Sequence, residues 1–203
     1  MHDSVMDFGR KMITRERVEG KRILELGSRD VNGSLRSMVM AFGPSEYLGV
    51  DKVMGRGVDL VADIERLNSF AVCDGVICTE MLEHVGKWWV VLQVISRAIE
   101  KGWAIVTTRS PGFPLHAYPE DHWRFTMDDM KAILGVFEKV HLEEDGQVDH
   151  PGVFAFIEHD RGRFDYGAFY RAMGRPVYNM EAGKPVSAEE WGGPICCRMK
   201  DMI

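Results

Sequence analysis

Acidic side chains recur at the ends of short apolar runs in this chain. Asp51 closes the run YLGVD, Asp63 closes the run from Val58 to Ala62, and Glu25 lies near the end of RILEL. A carboxylate at a strand tip can accept two hydrogen bonds from ribose hydroxyls, which is the chemistry expected of Asp51. Asp63, one strand further on, is placed to accept an adenine amino group. Any one of these acids also fits a turn or a helix cap, but three in succession point to a nucleoside site. The loop ELGSRDVNGS lacks the closely spaced glycines that let backbone amides approach a pyrophosphate. Arg29 and Val31 stand where glycines are expected, and Asp30 adds a negative charge near the ligand. A carboxylate repels a pyrophosphate and suits a ligand with an ammonium and a sulfonium. S-adenosylmethionine is such a ligand, with Glu25 beside its cationic groups.

Two further clusters could hold the second substrate of a group transfer. The first is EMLEH, where Glu80, Glu83 and His84 line up at i, i+3 and i+4 if the stretch is one helical turn. The second is His116 to Arg124, with Tyr118, Asp121, His122 and Trp123, stiffened into a candidate lid by Pro111, Pro114 and Pro119. His84 or His122 is a candidate general base, because neutral imidazole titrates near working pH. Arg124 either binds an acidic acceptor or pairs with Asp121.

The elements that must position these groups alternate strand and helix. Short apolar runs at Arg22–Leu26, Tyr47–Val50, Val58–Ala62, Ala71–Thr79 and Trp103–Thr108 read as buried strands. Helical stripes lie between them at Leu35, Met38, Val39 and Phe42, and at Trp88, Val91, Leu92, Ile95 and Ile99. Met1 to Gly20 reads as one amphipathic helix with Val5, Phe8, Met12 and Ile13 on its apolar side. Thr126 and Asp129 form a capping pair for a helix burying Met130, Ile133, Leu134 and Phe137. Runs near Lys139–Leu142 and Val153–Glu158 follow with only a polar loop between, so they should pair antiparallel. This is a doubly wound α/β sheet with helices on both faces, whose ligands bind at the carboxyl ends of the strands. Residues 1–159 form that domain. From Asp160 the periodicity is lost, and 160–203 read as an extended arm. Its arginines and aromatics (Arg161, Arg163, Arg171, Arg175, Phe164, Tyr166, Phe169, Tyr170) serve an oligomer contact or a pocket cover, with nucleic acid the less favoured partner.

The 203 residues carry a net charge of −6, which argues against a nonspecific polyanion binder. The longest stretch without Asp, Glu, Lys or Arg, Ser110 to Pro119, is interrupted by prolines and too short to span a membrane. Asp3, Asp7 and Arg10 occupy the place of a secretory apolar core. Four cysteines make no disulfide framework: Cys73 and Cys78 read as buried hydrophobes, and Cys196-Cys197 have the wrong spacing for a zinc knuckle. A cytoplasmic protein is expected.

The segments RILELGSRDVNGS, YLGVD, VADI, DGVICTEMLEHV and WAIVTTRSPGFP resemble class I S-adenosylmethionine-dependent methyltransferases over Val18 to Glu158. The resemblance implies a seven-stranded Rossmann-like sheet in the order 3-2-1-4-5-7-6, with the seventh strand antiparallel. It implies cofactor contacts from Gly27, Asp51, Asp63 and the Thr79–Glu80 segment, with Glu25 and Ser28 completing the expected set. Glu80, Glu83, His84 and His122, in Glu-x-x-Glu-His followed by Asp-His, are also similar to the metal site of small-RNA terminal 2′-O-methyltransferases. They are more loosely similar to the corresponding segment of quinone-biosynthesis O-methyltransferases. Such a set suits Mg, Mn or Zn; in relatives without metal, Glu83 and His84 serve packing or capping. The expected activity is methylation of an oxygen, with nitrogen the less favoured atom, of a small-molecule, sugar or lipid-linked acceptor, with His84, His122 and Asp121 as catalytic candidates. The alternatives are a metal-assisted RNA 2′-O-methyltransferase and a non-catalytic scaffold of the same fold.

Overall fold

A computed structural model describes residues 2–67, 70–99, 101–116, 120–147, 149–159 and 166–192. Five apolar segments supply the strands β1 (Arg22–Leu26), β2 (Glu46–Asp51), β3 (Leu60–Val61), β4 (Gly75–Thr79) and β5 (Gly102–Arg109). A two-residue strand β6 (Trp123–Arg124) follows, then β7 (Lys139–Glu144) and β8 (Gly152–His159). All but β6 join one seven-stranded sheet in the order β3-β2-β1-β4-β5-β8-β7. The contacts of β1 with β2 and β4 are parallel, and β8 runs antiparallel to both β5 and β7. With β6 left out of the count, this is the expected order with its antiparallel seventh strand.

The side-chain alternation of the central strands explains the layers. Leu24, Val76, Cys78, Ala104 and Val106 enter one core, with helices α4 (Trp88–Ala98) and α5 (Met127–Leu134). Ile23, Ile77, Trp103 and Ile105 enter the other, with α1 (Asp3–Met12) and α3 (Arg36–Met40). Both faces of β4 are therefore dry, and none of its residues is polar before Thr79.

Two local expectations are corrected. The stretch Met1–Gly20 is not one helix: α1 ends at Met12, Ile13 and Thr14 are extended, and α2 covers Arg15–Val18. Two adjacent β-branched residues are poor helix formers, and the break lets Ile13 reach the core. Arg17 Nη1 then donates to the carbonyl of Met12, 2.9 Å away. The third strand is also shorter than Val58–Ala62; both residues of β3 are exposed, as befits a sheet edge.

Residues 166–192 fold back onto the domain. They form α6 (Tyr166–Met173), β9 (Val177–Asn179) and β10 (Lys184–Val186), and β9 pairs with β6 in a second sheet, β10-β9-β6. Phe169, Met173 and Val177 lie in the α4–α5 core. The residues Asp160, Arg161, Arg163, Phe164, Asp165, Cys196 and Cys197, and the side chain of Tyr166, lie outside the described residues, as do Tyr118 and Pro119. Among the described residues no helix is long and apolar enough to cross a membrane.

Phe169 tests whether this return segment belongs to the core. Its ring is fully buried, so Phe169→Ala should cost about 3–5 kcal/mol in urea unfolding. A loss below about 1 kcal/mol would mean the segment packs only loosely.

Candidate functional site

The loops at the carboxyl ends of the parallel strands enclose a cleft of about 430 Å³. It opens where β1 is flanked by β2 on one side and β4 on the other, the reversal point at which such sheets bind ligands. Glu25, Gly27, Ser28, Asp51, Asp63, Thr79 and Glu80 all line it. Seven residues scattered over 56 positions of sequence are brought together because each lies at a strand tip or in the loop just beyond.

The first loop turns at Gly27, which has φ +73°. A side chain there would be strained, and its Cβ would also stand 3.0 Å from the Met81 sulfur. Asp30 does not line the cleft. Its carboxylate accepts from the Gly33 amide at 2.8 Å and pairs with Arg56 at 3.2 Å, so it shapes the loop instead of facing a ligand. Ser28 Oγ is buried with no hydrogen-bond partner among the described residues.

Asp51 is held by two backbone amides, Val53 at 2.9 Å and Arg29 at 3.2 Å. Asp63 caps the short 3₁₀ turn Ile64–Arg66 through the Glu65 amide at 3.1 Å and pairs with Arg66. It thus combines its place in the wall with the turn-capping role its residue type also allows. Glu25 accepts from the Tyr47 hydroxyl at 2.7 Å and the Ser34 hydroxyl at 3.1 Å. Burial outweighs these bonds and raises its pKa to about 7.

Glu80 adopts φ +53°, a left-handed conformation that costs a side-chain-bearing residue energy. Its amide donates to the Thr107 carbonyl at 3.0 Å, and its carboxylate accepts from the Thr107 hydroxyl at 2.9 Å and pairs with Arg109. Burial, then repulsion by Glu83, pushes the Glu80 carboxyl upward, and Arg109 opposes both. Arg109 itself is fully buried and also donates to Asp145 and to the His150 carbonyl, each at 3.1 Å.

Beyond Glu80 the chain does not form the expected α-helical turn. Leu82–His84 is a 3₁₀ turn, in which Glu83 is fully buried and His84 faces the cleft. Thr108 Oγ1 donates to one Glu83 oxygen at 2.9 Å; the other, Oε1, has no hydrogen-bond partner among the described residues. Burial raises the Glu83 pKa and lowers that of His84.

The segment 120–124 is sewn to this turn. The His122 amide donates to the Glu83 carbonyl at 2.7 Å, and Trp123 Nε1 donates to the Val85 carbonyl at 2.8 Å. The other two catalytic candidates do not reach the cleft wall. Asp121 is buried in an ion pair with Arg124, whose Nη2 donates to it at 2.6 Å, which decides between the two roles open to Arg124. Asp121 also accepts from the His116 amide at 2.9 Å and lies 3.0 Å from His116 Nδ1. The His122 ring turns toward Glu181, with Nδ1 2.6 Å from its carboxylate, and packs near Trp191.

It is His116, with the His122 ring turned to Glu181, that lies beside Glu83 and His84. A ring nitrogen of His84, one of His116 and a carboxylate oxygen of Glu83 lie within 4.8 Å of one another, and both rings line the cleft. Residue types alone could have flagged His116. Arg109 left a clearer signal: a cation ending an otherwise uncharged strand beside the acid-tipped ones. Neither His2, which α1 brings to the cleft rim, nor Asp145 has a local signature.

No protein-family model matches this chain, and no curated protein does. Solved structures match it in fold. The magnesium protoporphyrin IX methyltransferase from Synechocystis PCC 6803, determined with bound SAH, is 14% identical with a TM-score of 0.58, covering 78% of this chain and 83% of that one. The N-methyltransferase NodS from Bradyrhizobium japonicum WM9 is 10% identical with a TM-score of 0.56, covering 79% and 98%. The cyclase SpnF is 12% identical with a TM-score of 0.54, covering 79% and 82%. The chain therefore has the Rossmann-like fold of S-adenosylmethionine-dependent methyltransferases.

The raised pKa of Glu25 makes stability pH-dependent in a definite direction. Between its ordinary 4.5 and about 7 the folded chain holds a proton that the unfolded chain has released. Stability from this group must then fall as pH rises through that window. Glu25→Gln should flatten the decline between pH 5 and 8 by on the order of 3 kcal/mol, measured by urea unfolding. An unchanged slope would place the buried proton elsewhere.

Proposed function

We propose that the protein is an S-adenosylmethionine-dependent methyltransferase acting on an oxygen of a small-molecule, sugar or lipid-linked acceptor. The observation that carries this reading is the gathering of Glu25, Asp51 and Asp63 on one cleft at the strand ends. A pyrophosphate would face this acidic wall with few compensating amides. A sulfonium with an amino-acid ammonium would find complementary charge. Asp51 is the ribose acceptor of this reading, and Asp63 the adenine acceptor. The fold alone does not decide the chemistry, since SpnF is a cyclase on the same scaffold.

Methyl transfer asks the protein to hold a nucleophile in line with an activated methyl and to exclude water. The carbon–sulfur bond breaks as the new bond forms, its electron pair staying on sulfur. In this reading the cofactor half is the wall from Gly27 to Thr79, and the acceptor half is Glu80, His84 and His116. His84 serves as the base, its pKa lowered by burial so that it is neutral at working pH. Asp121 acts by positioning His116. The buried, unpaired Cys73 and Cys78 suit a reducing cytoplasm. The RNA-directed alternative draws on the Glu83–His84–His116 group; a chelator-sensitive activity on RNA would favour it.

Calorimetry with S-adenosylhomocysteine tests the cofactor half directly. Binding should be micromolar, and Asp51→Ala should weaken it about 10–100-fold through loss of charged hydrogen bonds. Absence of binding at sub-millimolar concentration, or equal binding by the variant, would refute the assignment.

A further inference from the structure

We propose that the acceptor carries its reacting hydroxyl on a hydrocarbon chain, and that the apolar rim of the cleft mouth holds that chain. The inference rests on the proposed methyl transfer and narrows its acceptor to the lipid-linked class. Eight large apolar side chains are exposed among the described residues, and six of them belong to this mouth. Val31 and Val53 line the cleft itself. Met54 follows Val53, Leu60 and Val61 lead into Ala62, and Leu115 precedes His116; Val53, Ala62 and His116 are all lining residues. The other two, Met40 at the end of α3 and Val72 ahead of β4, adjoin no lining residue in sequence. Apolar side chains scattered singly over a surface need no explanation, whereas a concentration around a cleft marks a binding face.

The rim is continuous in space. The Asp30 amide donates to the Arg56 carbonyl at 2.8 Å, which joins the loop of Val31 to the loop of Met54. Leu60 and Val61 pair with Val50 and Asp51 of β2, the strand that ends at this same loop. Lys52 Nζ lies 3.8 Å from the Glu120 carboxylate, and the Glu120 carbonyl lies 2.6 Å from His84 Nδ1, so the loop also meets the acceptor side of the cleft.

A cleft of about 430 Å³ is near the small end of ligand sites. With the adenosyl donor in place, only the reacting end of an acceptor fits beside Glu80, His84 and His116. The remainder must leave through the mouth and cross the rim. A sugar taking that path would set its hydroxyls against Val31, Met54 and Leu115, losing water without gaining hydrogen bonds. A hydrocarbon chain gains from the same contacts.

Other occupants suit the rim less well. Its cations are already paired, Arg56 with Asp30 at 3.2 Å, Arg66 with Asp63 at 3.1 Å and Lys52 with Glu120. Paired charges on a chain of net charge −6 give an anionic bilayer little to hold. An isologous second copy would present the same concave mouth, and two concave mouths cannot fill each other.

The test uses the full chain with saturating S-adenosylhomocysteine and the probes 1-hexanol, 1-octanol and 1-decanol, followed by ligand-observed NMR. Affinity should rise at least about 10-fold from 1-hexanol to 1-decanol, because each methylene buried on the rim adds to binding. The double variant Met54→Gln, Leu115→Gln should reduce that rise to about 3-fold or less. Both positions are 66% exposed, so the variant should keep its fold, as urea unfolding will check. A flat series in the native chain, or an equal rise in the folded variant, overturns the proposal. Cosedimentation with phosphatidylcholine vesicles alongside a flat series would assign the rim to a membrane surface. A dimer broken by the double variant, again with a flat series, would assign it to a second copy; either result overturns the proposal. S-adenosylhomocysteine binding is scored separately by calorimetry, and the alkanol series is repeated without it. Its absence, with the rise kept in the native chain and lost in the variant, refutes the methyltransferase reading alone. Its presence with a flat series refutes only the chain site.

Discussion

One buried cation holds the floor of the cleft together. Arg109 has no exposed surface, and its guanidinium binds Glu80 on one side and Asp145 on the other while stacking over Phe113 at 4.8 Å. Burying such a charge costs several kcal/mol unless its donors are met. Here they are met in part: Glu80 at the tip of β4, Asp145 after β7 and the carbonyl of His150 accept from the guanidinium, while Nη2 lies beside Glu80 without a hydrogen bond. Asp145 in turn accepts from Ser4 at 2.7 Å, so the N-terminal helix is tied to the same network. A left-handed Glu80 is tolerable because three hydrogen bonds, two with Thr107 and one from Arg109, fix it there.

The network also determines what the cleft can hold. Glu25 and Glu80, which line the cleft, both have pKa values raised by burial, so the wall carries less negative charge than its composition suggests. An incoming cation reverses that condition by favouring the ionised carboxylates. Ligand charge and wall charge are therefore coupled: a cationic ligand creates part of the field that binds it. An anionic ligand would meet carboxylates and gain no comparable response.

The sheet was legible because its signal is local. RILEL, DGVICT and WAIVTT each state their own burial, and the acids that end the early strands fall where a parallel sheet must put its ligand. The gathering of Glu25, Gly27, Asp51 and Thr79 on one cleft follows from that, since each lies within one residue of a strand end. Other features depend on partners far away in sequence. Glu181, 59 residues away, draws the His122 ring aside, and Asp121 is consumed by Arg124 before it can face a ligand. His116 becomes a cleft residue only because Asp121 holds its ring and its amide. Asp30 is turned aside by Arg56, a contact no periodicity encodes. The return of 166–192 was equally hidden, for its strands have only three residues and its apolar positions mix with glycine and proline.

The two halves of the cleft answer different chemical needs under the proposed function. A sulfonium methyl is activated before it binds, so the cofactor half needs only shape and charge. The acceptor sets the remaining demand. An amine that is neutral at working pH attacks without help, whereas an alcohol is a poor nucleophile until its proton is drawn off. A site for amines would gain little from two imidazoles and a desolvated carboxylate gathered beside the methyl position of this reading. A site for hydroxyls needs such groups, either to take the proton or to hold a cation that weakens the oxygen–hydrogen bond. Glu83, His84 and His116, held by partners from β5 and the 120–121 stretch, are in this respect the strongest argument for an oxygen acceptor.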